Sequence, residues 1–125
     1  MFTKINNETY EVSTNLGTAY ELEKKFSKKI QEIASGVNDF DIRESISVLY
    51  VGFKRKNSTI TEKAFEELFM EGEDWGIIDL KKELIIFLTL MMSKNRSESE
   101  VREEIENKFS KSIEEAESGE EEAKN

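Results

Sequence analysis

Nine consecutive positions, 84–92 (LIIFLTLMM), carry large apolar side chains interrupted by a single threonine, in a chain that is otherwise strongly polar. A transmembrane helix needs roughly 20 apolar residues to cross about 30 Å of hydrocarbon. The run is too short for that and is hemmed in by Lys81, Lys82, Glu83 and Lys94, so a membrane span is excluded. Read as a helix, it places Leu84, Leu88 and Met91 on one face with Ile85 and Met92 beside them, while Ile86, Thr89 and Leu90 point elsewhere. An apolar arc that wide exceeds what a surface helix needs, and it predicts a central helix surrounded by others. The competing reading is an exposed face that docks a partner, for which the flexible thioethers of Met91 and Met92 are suited.

At 125 residues the chain fits one compact core with a tail. The formal net charge is −9. Residues 98–125 hold 11 acidic and 4 basic side chains, a net of −7, which leaves −2 for residues 1–97. Such a chain repels bare phosphates and anionic bilayers, so neither nucleic acid nor membrane is expected as a partner. There is no Pro, and the long apolar-periodic segments favour helix.

Along the chain, FTKINNETYEV reads as a short hairpin turning at Asn6 and Asn7. A first helix is predicted from Leu16, Ala19, Leu22, Phe26, Ile30 and Ile33, running to Gly36, with Thr18 and Glu21 at capping-box spacing. A second starts at Asp39 or Asp41, buries Ile42, Ile46, Leu49 and Phe53, and ends on Lys54, Arg55 and Lys56, which complement its dipole. A third starts at Thr59 or Thr61, buries Phe65, Leu68 and Phe69, and stops at Gly72. Asp74 is expected to cap a fourth from Trp75 to about Lys94. Val101, Ile105, Phe109 and Ile113 form a narrow stripe on a fifth, strongly charged helix.

The expected fold is therefore mainly α: a short N-terminal β-hairpin, a compact bundle of about four helices, and a looser C-terminal amphipathic helix. The hairpin and helical body occupy residues 1–94, the C-terminal helix 95–117, and a disordered acidic tail 118–125.

With no Cys and no His, the chain cannot form a disulfide, a thiolate metal site or a Ser-His-Asp arrangement. DFDIRE opens like a calcium loop, but its fifth and sixth positions are Arg43 and Glu44, where a ligand and a glycine are required. The pairs Asp39/Asp41 and Asp74/Asp79 are read as helix caps. No phosphate-binding glycine motif is present. The expectation is a non-enzyme with no catalytic residue, metal or cofactor. MFTKINNETY lacks a basic region followed by an apolar run, which leads to the expectation of a cytosolic protein.

The order of parts, with Ile5-Asn6, Tyr10, Leu16-Gly17, Leu22-Glu23-Lys24-Lys25-Phe26 and Leu49-Tyr50-Val51-Gly52-Phe53, resembles the tail assembly chaperones of long-tailed bacteriophages of Gram-positive hosts. The likeness covers residues 2–94 and departs at Asn7 and Ser27, where the pattern has glycine. It implies a protein of the host cytoplasm, absent from the mature virion, that binds the tape measure protein and keeps it soluble. It also implies recruitment of tail tube protein through a frameshift-extended form, and it leaves room for a homo-oligomer. The residues backed for contact with such a partner are Phe87, Met91, Met92, Val101, Ile105 and Phe109. The other classes that the composition allows are a small acidic DNA-mimic inhibitor or adaptor, and a minor structural virion component.

Overall fold

The structure, a computed structural model, describes the backbone of residues 1–124 and the side chains of residues 1–111. It is mainly helical, 68%, with a two-stranded antiparallel hairpin at the N-terminus. Strands β1 (Phe2–Ile5) and β2 (Glu8–Glu11) pair from Phe2 opposite Glu11 to Ile5 opposite Glu8, closing a two-residue turn. That turn needs positive φ at both central residues, and Asn6 (52°) and Asn7 (68°) supply it without glycine. Thr3 and Ile5 face inward, while Phe2 and Lys4 face outward. The hairpin is tied down at its tip, where Asn6 Nδ2 donates to Leu68 O at 3.0 Å.

Helix α1 (Leu16–Phe26) is capped by Asn15, whose side chain accepts from Thr18 N at 3.0 Å. Thr18, expected to open a capping box, is instead buried and shares a 2.7 Å hydrogen bond with Ser13. The single helix expected through Gly36 is two. Ser27 adopts a left-handed conformation (φ 53°), ending α1 before the short α2 (Ile30–Ser35) and a 3-10 turn at Val37–Asp39. The break is stabilised by Glu23, whose carboxylate reaches across to accept from Ile30 N at 3.0 Å. It lets Ile30 and Ile33 pack into the same core as Leu22 from a second direction.

Helix α3 (Ile42–Lys56) starts at Asp41, which accepts from Glu44 N at 2.7 Å, and ends on Lys54, Arg55 and Lys56. Helix α4 (Glu62–Glu71) starts at Thr61 and stops at Gly72. Helix α5 (Ile77–Met92) does not use Asp74 as its cap. The cap is Gly76, and Asp79 on the first turn accepts from Gly76 N at 2.8 Å. Helix α6 spans Glu98–Lys124, continuing past the end expected near residue 117. One glycine, Gly119, costs a helix only about 1 kcal/mol, and the surrounding Glu and Ala residues are good helix formers. Asn125 and the side chain of Ile113 lie outside the described residues.

Helices α3 and α5 share the centre. Ile46, Leu49 and Phe53 from α3 pack in one cluster with Leu84, Phe87, Leu88 and Met91 from α5. Their approach depends on Gly52, where an added Cβ would lie 2.5 Å from the Phe87 ring and 2.5 Å from Ser13 O. Gly52 O also accepts from Ser13 N at 3.0 Å, so the same residue holds the chain leaving the hairpin. A relay of rings crosses the body: Tyr10 to Phe53 (5.3 Å between centroids), Phe53 to Phe65 (4.2 Å), Phe65 to Phe69 (5.0 Å) and Phe69 to Trp75 (5.3 Å). Ile86, on another face of α5, is buried against Val101 and Ile105 of α6.

Two glycine substitutions of opposite sign follow. In urea denaturation, Gly52→Ala is expected to lower stability by about 1–3 kcal/mol, because neither the Ser13 carbonyl nor the packed Phe87 ring can give way cheaply. Ser27→Gly, at an exposed left-handed position, is expected to raise it by about 0.5–1 kcal/mol. A neutral Gly52→Ala would contradict the close approach described above.

Candidate interaction surface

Several carboxylates serve the fold. Asp41 and Asp79 cap helices, Glu23 caps α2, and Glu62 accepts from Lys25 (2.9 Å) and from Ser47 (2.8 Å). The hydrogen bond from Lys25 is the main reason that the Glu62 carboxyl sits below the usual range. Among the described residues, no group of three or more His, Cys, Asp or Glu side chains is arranged to hold a metal.

The most connected side chain is Arg102 on α6. Its guanidinium donates to both Glu83 oxygens (2.7 and 2.9 Å), to Glu98 (2.9 Å) and to Phe2 O (2.6 Å). Glu83 is only 6% exposed and also accepts from the Thr3 hydroxyl at 2.8 Å. Hydrogen bonding to Glu83 pushes the Arg102 pKa further up, so the guanidinium stays charged. Phe2 N in turn donates to Glu98 at 3.0 Å. The hairpin, α5 and α6 are fastened at one point, which the sequence concealed because the partners lie 19 to 100 positions apart.

This clasp decides where the residues expected to meet a partner fall. Phe87 and Met91 lie in the main core, and Val101 and Ile105 are buried beneath α6 against Ile86. These four are withheld from any partner in this conformation: Phe87 and Met91 by packing against α3, and Val101 and Ile105 by the docking of α6 on α5. Phe109 is half-buried at the edge of that contact. Met92 is 49% exposed at the end of α5.

The apolar surface open to solvent lies elsewhere. Ile42 (42% exposed), Met70 (56%) and Ile77 (61%) line a concavity of about 510 Å³ with Leu80 and Phe40. Met70, Ile77 and Leu80 also line an adjoining hollow of about 200 Å³, walled by Phe69 and Trp75. Beyond Met70 the surface continues between α3 and α4 as a groove of about 420 Å³ lined by Glu66 and Glu67.

The geometry has a simple origin. Ile42 begins the stripe of Ile46, Leu49 and Phe53, and Ile77 begins that of Leu80, Leu84, Leu88 and Met91. Each is a first-turn residue that overhangs the end of the core, and the last turn of α4 brings Met70 between them. The sequence carried the signal in these overhanging ends. It gave no way to know that three separate elements bring them to one place.

Comparison with protein-family models, with curated proteins and with solved structures finds no match. The functional reading therefore stands on the geometry and on the sequence pattern.

The clasp makes a sharp prediction for stability. Arg102→Met leaves Glu83 buried with only a hydroxyl for company and is expected to cost about 3 kcal/mol in urea denaturation. Arg102→Met combined with Glu83→Met should recover most of that loss, because an apolar pair removes the unpaired charge. An Arg102→Met variant of wild-type stability would show that α6 is held without the clasp, by its apolar contacts and the Lys82–Glu106 pair.

Proposed function

We propose that this chain is a binding protein of the phage tail assembly chaperone class, which holds the long helical tape measure protein soluble and helps recruit tail tube subunits as the tail polymerises. The observation that carries the reading is the solvent-open apolar groove at the meeting of α3, α4 and α5. A protein that shields the apolar stripe of a helical client needs such a groove, because an amphipathic helix seats residues spaced i, i+3, i+4 and i+7 along it. The mainly helical fold behind an N-terminal hairpin is the order of parts that the resemblance implies.

Binding is also the use to which the described side chains are best suited. The buried ion pair closes a structural joint, and Asp41 and Asp79 are engaged at helix starts. An acidic surface disfavours association with like copies and keeps a complex with an apolar client soluble. In this reading the protein works in the host cytoplasm and is left out of the finished particle.

The test is co-expression with the tape measure protein encoded beside it. A soluble complex is expected to co-elute in size exclusion, with the tape measure protein insoluble when expressed alone. The reading fails if no complex forms while circular dichroism shows this chain to be folded.

A further inference from the structure

We propose that the groove lined by Ile42, Met70 and Ile77 takes an amphipathic helix whose apolar stripe is flanked by Lys or Arg. The proposal deepens the binding role above and rests on it for the identity of the natural partner, but not for the chemistry of the site.

Charge selects the occupant. Residues 62–74 hold six acidic side chains and one basic, a net of −5, although residues 1–97 together carry only −2. Glu66 and Glu67 line the groove beside Met70, and Glu71, Glu73 and Asp74 are exposed where α4 ends. Three basic side chains oppose them: Arg43 lines both the concavity and the groove, Lys63 lines the groove, and Lys81 lines the concavity. Glu62 is held by Lys25, and Arg43 also acts on it, while Lys63 sits among the α4 glutamates. Lys81 is turned inward, donating to Val37 O at 2.7 Å and Phe40 O at 2.5 Å.

The helix ends add to this bias. The positive N-termini of α3 and α5 at the groove are already answered by Asp41 and Asp79. The negative C-terminus of α4 has no basic residue in its last turn. An uncompensated helix C-terminus beside unpaired carboxylates favours a cation.

The same charge argues against two other occupants. Residues 112–124 of this chain hold six acidic side chains and one basic, so its own C-terminal segment would meet like charge. A second copy docking through this face would set the two acidic segments against each other. A basic amphipathic helix satisfies both the apolar floor and the rim.

The groove reports on its own occupancy, because Trp75, the single tryptophan, forms part of its wall. The probe is a synthetic 22-residue helical peptide with a leucine stripe flanked by lysine, and the control is the same peptide with glutamate in place of lysine. Titrated into the full chain, the lysine peptide is expected to shift Trp75 emission and to bind at least about tenfold more tightly than the glutamate peptide, with affinity falling as salt rises. The double variant Met70→Lys, Ile77→Lys alters only exposed side chains and is expected to lose the binding while keeping its circular dichroism. Equal binding of the two peptides, binding undiminished in the double variant, or a dimer in sedimentation that the double variant abolishes would each overturn the proposal.

The same variant separates this inference from the functional reading. If it captures the tape measure protein as well as wild type does, the groove is wrong and the chaperone reading stands. If the lysine peptide binds the groove but wild type captures no tape measure protein, the reading falls and the site remains.

Discussion

The organising constraint is that α5 must be covered on two faces. Leu84, Phe87, Leu88 and Met91 leave water by packing against α3, and that contact is close only because Gly52 has no side chain. Ile86 points away from this core and would be left exposed by helices α1 to α5 alone. Burial of Ile86 under Val101 and Ile105 therefore draws α6 into the fold. Apolar burial is worth roughly 25 cal/mol per Å², and the contact of Ile86, Val101 and Ile105, with Ile85, Leu90 and Phe109 at its edge, is a modest anchor for a long helix. The clasp of Arg102 with Glu83, Glu98 and Phe2 O supplies the direction that the apolar contact lacks. It also closes the hairpin onto the body, since Thr3 and Phe2 are bound by the same carboxylates.

From that arrangement comes the division of the surface. With α6 seated, the greasiest stretch of the sequence is interior, and the surface it would have presented is gone. Apolar side chains stay open at the overhanging first turns of α3 and α5 and the last turn of α4, besides Leu16 and Tyr20 on α1, Phe2 on β1 and Met92. Exposure at those turns is a by-product of helices that start before the core does, yet it leaves an apolar floor beside the glutamates of α4, and such a surface has chemistry that a partner can read.

Much of the fold was legible because its signals are local. The Asn6-Asn7 turn, the Asp41 and Thr61 caps and the Gly72 stop are fixed by residues within four positions of one another. The apolar stripe of α5 likewise declared its buried side. The split of the first helix was missed because Ser27 is a poor residue for a left-handed turn, and what stabilises the break is Glu23 bonding forward to Ile30. Asp74 was a reasonable cap on spacing, but Asp79 reaching back to Gly76 serves instead. The burial of four of the residues expected to meet a partner was not legible for a different reason. Phe87, Met91, Val101 and Ile105 are apolar and well spaced, and spacing cannot distinguish a face that meets another protein from one that meets another helix of the same chain. The groove itself joins positions 42, 70 and 77, which no periodicity connects.

The central claim is that a client is held at the α3, α4 and α5 groove and not along α6. Hydrogen–deuterium exchange on the full chain, with and without bound tape measure protein, tests it most directly. The account predicts added amide protection over residues 40–45 and 68–80, with little change in 98–111. Protection confined to α6, or exchange there that rises because the clasp has opened to expose Ile86, Val101 and Ile105, would contradict it.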